Sequence, residues 1–268
     1  MLRELAAGRP FGSDVQCPGA RTIGEEMTAL RVPLTETEIR KYRWLGRKCA
    51  EAVESVCRQI EPGMTDLGIE ALLCDALRRQ AILPAGTNVR TDGVVEEVNQ
   101  KPRRDVKRVE KYAELEVAAR AWGLTVAVAR HIHFGPVPEE LQKKANAAAR
   151  INAGCWARTE PGVAAGSILV GAISDYADTG FLDGWRQRDL GGAIGYRTRD
   201  WLASPGSARI LQSSAAYVWN PAVDGFTMED TVLLIDDRLE ILTETSGWPI
   251  IESKALGTIY RAPGILVR

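Results

Sequence analysis

The segment Ile60-Glu61-Pro62-Gly63-Met64-Thr65-Asp66 separates two stretches that carry apolar residues at helical spacing. A second Glu-Pro-Gly triplet, Glu160-Pro161-Gly162, again lies between two such stretches. Proline cannot continue a helix and glycine favours the turn that follows one, so each triplet predicts a stop between two helices. Gly63 and Gly162 are 99 residues apart, which is too long a period for a solenoid. We therefore predict two similar α/β halves related by a pseudo-twofold axis, with the ligand site in the cleft between them.

Helical periodicity extends outward from both triplets. Thr35-Glu36-Thr37-Glu38 has the pattern of a capping box, in which the Thr hydroxyl and the Glu carboxylate satisfy free N–H groups at a helix start. A helix is expected from this box to about Ile60, and Leu67 and Leu72 are expected on the buried side of the next helix. The four predicted helices cover approximately residues 36–60, 66–81, 138–158 and 166–178.

Glycines and β-branched residues after each pair of helices indicate strands. Trp122-Gly123 predicts a hairpin turn before a strand at 124–129, whereas residues 108–121 are compatible with helix or strand because Glu and Ala favour helices. After the second helix pair, Gly191-Gly192 is followed by predicted strands at 209–219, 231–236, 240–245 and 258–260. The chain is therefore expected to be of the α+β class, with an N-terminal extension at 1–34 and one domain at 35–268.

The composition is that of a globular protein without a strongly charged partner surface. Of the 268 residues, 45% are hydrophobic, which is enough for a sizeable core, and the formal net charge is −1. The basic run Lys101–Arg104 has acidic neighbours, so we interpret it as solvated surface and expect no nucleic-acid partner. No run of about 18 apolar residues is present, so no membrane span is expected.

The cysteines favour a reducing compartment. They are Cys17, Cys49, Cys57, Cys74 and Cys155, an odd number without the close pairs of a zinc or redox motif. Arg3, Glu4 and Arg9 interrupt the first ten residues, so no secretory signal is expected there. We therefore predict reduced thiols and a cytoplasmic protein.

The order of the elements and several segments resemble the pita-bread family, which includes creatinase, prolidases, Xaa-Pro aminopeptidases and methionine aminopeptidases. The resemblance covers roughly residues 36–250 and depends on the ordered set of segments. The matching segments are Ile60–Asp66, Gly123–Arg130 with Phe134-Gly135, Gly191–Tyr196 with Arg199-Asp200, Trp219–Pro221 and Met228–Thr231. It implies a pita-bread fold, in which two pseudo-twofold-related α/β halves surround a curved, mainly antiparallel sheet.

The metal-dependent members of this family bind two divalent ions with two Asp, one His and two Glu. The resemblance places the two Asp ligands near Glu116 and at Ala127, and the His ligand at Gly192. It places the two Glu ligands at Asn220 and Glu229. Glu229 matches its position well and Glu116 lies near the position of the first Asp. Hard divalent ions require several carboxylate oxygens, so we expect neither a metal site nor another cofactor.

A different set of polar residues is expected to line the cleft. We predict Glu229, Asp189 and His133 as catalytic residues, with a desolvated Glu229 whose raised pKa suits a general acid or base. Arg188 and Arg199 suit a bidentate grip on an anionic substrate group. The other predicted substrate-binding residues are Tyr196, Asn220, Trp185, Trp219 and Glu116. In the alternative interpretation, the arginines and carboxylates of the cleft pair with each other and fill it.

The histidines and tryptophans each have two interpretations. His131 and His133 lie two residues apart and therefore on one face of a predicted strand, where either would reach the cleft or simply end the strand with its hydrogen bonds satisfied. Trp185 and Trp219 flank cleft segments and would stack on a planar or cationic substrate, or they pack in the core. Gly191–Gly195 does not follow a clear strand and open a helix, so no nucleotide site is predicted.

Creatinase indicates that this fold supports hydrolysis without a metal ion. The resemblance therefore implies a metal-independent hydrolase or lyase that acts on a small amino-acid-derived, amide or guanidino compound, in specialised (natural-product) metabolism. A homodimer is expected by the same resemblance. The alternative is a non-catalytic pseudopeptidase that binds a peptide or protein partner, and a minor alternative is a residual metalloaminopeptidase.

Overall fold

A computed structural model describes residues 6–92 and 106–268, so the basic run at 101–104 lies outside the described residues. These ranges contain five α-helices: α1 (Gly24–Arg31), α2 (Glu36–Gln59), α3 (Asp66–Arg78), α4 (Glu139–Ala157) and α5 (Ala165–Asp178), with a 3-10 turn at Gly184–Arg186. The four predicted helices are α2 to α5, and α3 ends at Arg78 rather than near Ala81. Among the described helices, none has both the length and the apolar character of a membrane span.

Local capping and burial explain α2 and α3. The Thr35 hydroxyl accepts a hydrogen bond from the Glu38 N–H, and the Glu38 carboxylate accepts one from the Thr35 N–H at 2.7 Å, so the predicted capping box is formed. Helix α3 buries a row of residues spaced by four: Ile69, Leu73 and Leu77. Leu67 and Leu72 are exposed, contrary to the prediction, because they lie off this row on the solvent side of α3.

Fifteen strands are formed in the same ranges. They are β1 (Gly12–Ser13), β2 (Arg21–Thr22), β3 (Leu83–Thr91), β4 (Tyr112–Ala121), β5 (Leu124–His133), β6 (Gly191–Ile194), β7 (Trp201–Leu202), β8 (Ala215–Trp219), β9 (Ala222–Val223), β10 (Phe226–Thr227), β11 (Asp230–Ile235), β12 (Arg238–Ile241), β13 (Ile250–Ala255), β14 (Thr258–Pro263) and β15 (Ile265–Val267). The main sheet has the order β3-β4-β5-β11-β8-β6-β7, with β12 beside β11 and β15 beside β5. Its pairings are antiparallel except that of β15 with β5.

Pairing between strands decides the stretches that sequence patterns left open. Residues 112–121 form β4, which pairs with β5 through a hairpin whose turn residues Trp122 and Gly123 both have positive φ. The helix preference of Glu and Ala is overridden here because β3 and β5 flank β4 on both sides. The strand predicted at 209–219 is shorter than expected, since regular pairing begins at Ala215.

The two halves each have a hydrophobic core between a helix pair and the sheet. The first core is formed by α2, α3 and β3 to β5 around Tyr42 and Leu45. The second is formed mainly by α4, α5, β8 and β11 around Trp156 and Trp219. The helices therefore cover the outer face of the sheet, which leaves its inner, concave face for the cleft.

Side-chain alternation brings the five positions related to metal ligands to this concave face. Trp219 pairs with Gly191 and with Asp230, and partners in an antiparallel pair point to the same face. Trp219 and Asp230 both point outward. Trp219 donates to Thr159, just after α4, and Asp230 pairs with Arg130, which also pairs with Glu54 on α2. Their neighbours in sequence therefore point inward. These inward positions are Glu229, Asn220 and Gly192, and β4 and β5 add Glu116 and Ala127.

The described part of the N-terminal extension packs against the second half of its own chain. The Leu34 N–H donates to the Ser214 carbonyl at 2.6 Å. Arg31, in the last turn of α1, lies 3.3 Å from the buried carboxylate of Asp200. The extension therefore contacts the loop after β6, which the sequence assigns to the cleft.

Candidate functional site

Glu116 on β4 lies on the concave face in contact with two arginines. Arg188 Nη1 donates to Glu116 Oε1 at 2.8 Å, and Arg90 Nη2 lies 3.7 Å from the same oxygen. The amide of Asn88, opposite Glu116 on β3, donates to Oε2 at 2.8 Å. Burial alone would raise the pKa of Glu116, but Arg188 and Arg90 outweigh it and lower this pKa to about 2. Glu116 is therefore a paired anion at neutral pH.

Glu229, directly before β11, contacts a third arginine. Arg199 Nη2 donates to Glu229 Oε1 at 2.9 Å, and Arg199 Nε lies 3.8 Å from Asp189. Glu229 is buried, whereas the Asp189 side chain is 47% exposed, so solvent reaches the arginine from the Asp189 side. Burial raises the pKa of Glu229, and Arg199 offsets this effect only in part. Glu229 is therefore the more readily protonated of the two carboxylates.

Thr227 in β10 joins the ion pairs from the other side. Its hydroxyl accepts hydrogen bonds from Arg90 Nη2 at 2.9 Å and Arg188 Nη1 at 3.1 Å. Arg90 Nε also donates to Glu114 at 2.9 Å, and burial raises the pKa of Glu114 to about 7 although Arg90 opposes the shift. Sequence patterns did not indicate Thr227, Arg90, Glu114 or Asn88 as site residues. The signal that identifies them is alternation, because Glu114 shares a face of β4 with Glu116 and faces Arg90 across the pair.

The five positions related to metal ligands do not fit a metal ion. Ala127 has no ligand atom, and Glu116 and Glu229 are each engaged by an arginine. A Cβ at Gly192 would lie 2.2 Å from the Trp201 carbonyl oxygen, so no histidine can stand there without displacement of β7. Over residues 6–92 and 106–268, no group of three or more His, Cys, Asp or Glu side chains is placed to hold a metal ion.

Asn220 occupies the remaining position, directly after β8. It is fully buried, and its backbone N–H donates to Leu190 at 2.9 Å. Neither Oδ1 nor Nδ2 has a hydrogen-bond partner within the described ranges. At the position that the resemblance relates to a glutamate ligand, the chain therefore carries an uncharged amide.

The contacts place His131, rather than His133, beside the arginines. His131 Nε2 donates to the Thr227 carbonyl at 2.6 Å, and its Nδ1 accepts a hydrogen bond from Tyr112 at 2.8 Å. Burial lowers the pKa of His131 to about 3, so the ring is neutral. His133 Nδ1 instead bonds the Gly135 carbonyl at 3.0 Å, at the end of β5. Both imidazoles are held by local hydrogen bonds, and in the described part of the chain no hydrogen bond or ion pair joins His133 to a charged residue of the site.

The three predicted aromatic residues do not converge on the carboxylates. Trp219 is fully buried on the outer face, where its indole N–H donates to Thr159 at 2.9 Å. Trp185 is half-buried and packs on the second core, with the Arg186 guanidinium 4.9 Å from its ring centre. Tyr196 is exposed and donates to Glu38 on α2. Both tryptophans therefore pack with the second hydrophobic core, and neither is placed to stack on a substrate beside the carboxylates.

Solved structures with the same architecture include peptidases. An X-Pro aminopeptidase from Thermotoga maritima matches with a TM-score of 0.76 and 19% identity over 100% of this chain and 72% of its own. A prolidase from Pyrococcus furiosus matches with a TM-score of 0.74 and 18% identity, over 85% of this chain and 71% of the prolidase chain. The N-terminal domain of a FACT complex subunit from Cicer arietinum matches with a TM-score of 0.68 and 13% identity, over 84% of this chain and 61% of the FACT subunit chain.

These likenesses establish the fold. The chain has the pita-bread fold that its sequence resembles, with the curved sheet and paired helices of that architecture. No family profile matches the sequence, and no curated protein sequence matches it. At identities below 20%, the similarity carries no substrate or mechanism by itself.

Proposed function

We propose that this pita-bread chain is a metal-independent enzyme that performs acid–base chemistry on a small amino-acid-derived, amide or guanidino compound. The observation that carries the proposal is the state of Glu229. It is a buried carboxyl on the concave face with one arginine on Oε1, and no described residue donates a hydrogen bond to Oε2. A carboxyl whose pKa is raised by burial and whose second oxygen is free suits a general acid or base. The substrate would therefore present its reacting N–H or carbonyl group to Oε2.

Arg188 is the residue best placed to bind an anionic part of the substrate. Only its Nη1 is used by described residues, in the bonds to Glu116 and Thr227. The Nε and Nη2 donors remain for a carboxylate, which guanidinium binds with two parallel hydrogen bonds. Asp189 lies at the exposed side of Arg199, where the site meets solvent. This division of roles assigns binding to Arg188 and chemistry to Glu229.

The remaining expectations are part of the same proposal. We expect the enzyme to act in the cytoplasm, in specialised metabolism, and as a homodimer. Light scattering during gel filtration would give twice the chain mass of 29.3 kDa for a dimer. A mass equal to the single chain would contradict the homodimer and leave the proposed chemistry unaffected.

The enzyme is tested by incubating chelator-treated protein with mixtures of amino-acid amides, N-acyl amino acids and guanidino acids, followed by proton NMR. We expect conversion of one class by the wild-type protein and its loss in Glu229→Gln, which keeps the shape and removes the proton-transfer group. Glu229→Gln should still bind the converted compound, as measured by calorimetry. Conversion that survives this substitution, or that requires added metal, would contradict the mechanism.

A second function is favoured by one specific observation. The three arginines of the concave face are all engaged by its carboxylates, as expected if the cleft is filled by ion pairs and the protein binds a partner instead. The same fold occurs in a subunit of the FACT complex. Absence of any small-molecule binding or conversion, together with binding of a peptide or protein that Arg188→Met and Glu229→Gln leave intact, would favour this non-catalytic role.

A further inference from the structure

Asp200 is a buried carboxylate whose counterion comes from the N-terminal extension. Its side chain is 1% exposed, and its backbone N–H donates to the Ala193 carbonyl at 2.9 Å. Oδ1 lies 3.3 Å from Arg31 Nε, whereas Oδ2 has no hydrogen-bond partner in the described residues. In that part of the chain, Arg31 is the one cation that forms an ion pair with Asp200. Without it, the carboxylate would be both buried and unpaired, which is strongly unfavourable.

Arg31 is itself held in place by α1. Its Nη2 donates to the Thr28 hydroxyl at 3.3 Å, and that hydroxyl donates to the Gly24 carbonyl at 2.9 Å. The Arg31 side chain is 21% exposed, so the pair with Asp200 is poorly screened by solvent. Arg31 therefore acts as a fixed positive charge that the extension presents to the loop 195–200.

The loop 195–200 carries the arginine that binds Glu229. Arg199 and Asp200 are neighbours, and Arg199 Nη2 reaches Glu229 while Asp200 reaches Arg31. The other end of the loop is tied to β5, because the Gly195 carbonyl accepts a hydrogen bond from the Thr125 N–H at 2.8 Å. The Asp200 contacts thus fix the end of the loop that holds Arg199.

We propose that Arg31 is a positioning residue of the candidate active site: by pairing with Asp200, it holds the adjacent Arg199 against Glu229. The N-terminal extension is then part of the site and not an appendage to it. The inference rests on the proposed function only in so far as the position of Arg199 affects substrate. The contact of Arg199 with Glu229 can be measured on the protein without any ligand, so the two proposals fail separately.

The test compares four chains by NMR and amide hydrogen exchange: wild type, Arg31→Met, Asp200→Asn and the double variant. The Arg199 Nη2–H signal, which reports the hydrogen bond to Glu229, is assigned with Arg199→Lys. In Arg31→Met, we expect this signal to move toward that of a free arginine and the Asp200 amide to exchange about tenfold faster or more. Amides of the hairpin β4–β5 should be unchanged. In the double variant, both readouts should match those of Asp200→Asn alone, because Arg31 acts only through the carboxylate of Asp200.

Arg21→Met is the matched control within the extension. Arg21 pairs with Glu26 at 3.1 Å, but both side chains are more than half exposed, so its loss should leave the Arg199 signal unchanged. The proposal is overturned if Arg31→Met leaves Arg199 and the Asp200 amide as in wild type. It is also overturned if Arg31→Met still changes either readout when Asp200 is already Asn, since Arg31 would then act by packing rather than through the charge of Asp200.

Discussion

Arg188 and Glu116 are each partly desolvated, and each stabilises the charge of the other. In Arg188→Met, the apolar stem remains but Glu116 keeps only the 3.7 Å contact with Arg90 as an ion pair. We expect the free energy of unfolding to fall by about 3 kcal/mol, measured by urea denaturation. Adding Glu116→Gln should recover most of this loss, because no unpaired carboxylate remains. A double variant no more stable than Arg188→Met would show that the charge of Glu116 is not the cause.

His131 makes stability depend on pH in a way that can be calculated. Burial holds its pKa at about 3 in the folded protein against 6.5 ordinarily, so only the unfolded chain takes up a proton between these values. The free energy of unfolding is therefore not reduced by His131 above pH 6.5, and it falls as the pH is lowered from 6.5 toward 3. Between pH 7 and pH 5, wild type should lose about 2 kcal/mol more than His131→Gln, by denaturant unfolding at each pH. Parallel pH profiles for the two proteins would contradict a buried neutral imidazole.

At the scale of elements, β6 and β7 approach too closely for any side chain at Gly192. A Cβ there would meet the Trp201 carbonyl oxygen at 2.2 Å, and backbone cannot move aside as a flexible side chain can. We expect Gly192→Ala to lower the unfolding free energy by about 2 kcal/mol or more. Gly86→Ala is the control, since no atom lies within 4 Å of its Cβ position. Equal stability of the two variants would contradict the close approach.

The helices could be predicted from sequence because their signals are local. The capping box at Thr35 and the Glu-Pro-Gly turns define helix ends without reference to the rest of the chain. Strand β4 could not be assigned, because its Glu and Ala residues are held in a strand only by β3 and β5. Local patterns therefore predict the helices of this fold, and contacts between distant segments are needed for the sheet.

In the candidate site, too, local patterns identified some residues, whereas residues defined by contacts between distant segments were missed. Glu116, Arg188, Arg199 and Glu229 were predicted, and they form two ion pairs. Thr227 was missed because its role depends on arginines that are distant in sequence. Trp219 was assigned to the cleft because it lies next to Asn220, although adjacent residues of a strand point to opposite faces.

For the whole molecule, guanidinium groups supply the positive charge beside Glu116 and Glu229. Manganese, cobalt or zinc added to chelator-treated protein should therefore not raise its melting temperature. A specific metal present at 100 times its dissociation constant would add about 2.7 kcal/mol to stability, which a thermal melt detects easily. A metalloaminopeptidase of the same fold serves as the positive control. A melting temperature raised by several degrees would contradict the arginine-filled site and restore peptides as candidate substrates.

The contact between Gly192 and the Trp201 carbonyl also has an evolutionary consequence. Histidine at 192 requires β7 to be displaced first, so it is disfavoured as an early step toward metal ligation. Aspartate at Ala127 or glutamate at Asn220 would add an unpaired carboxylate to a buried site, which is equally unfavourable alone. Each single change is therefore expected to lower stability before any metal affinity appears. Close relatives of this chain should therefore keep the five ligand positions without a metal set.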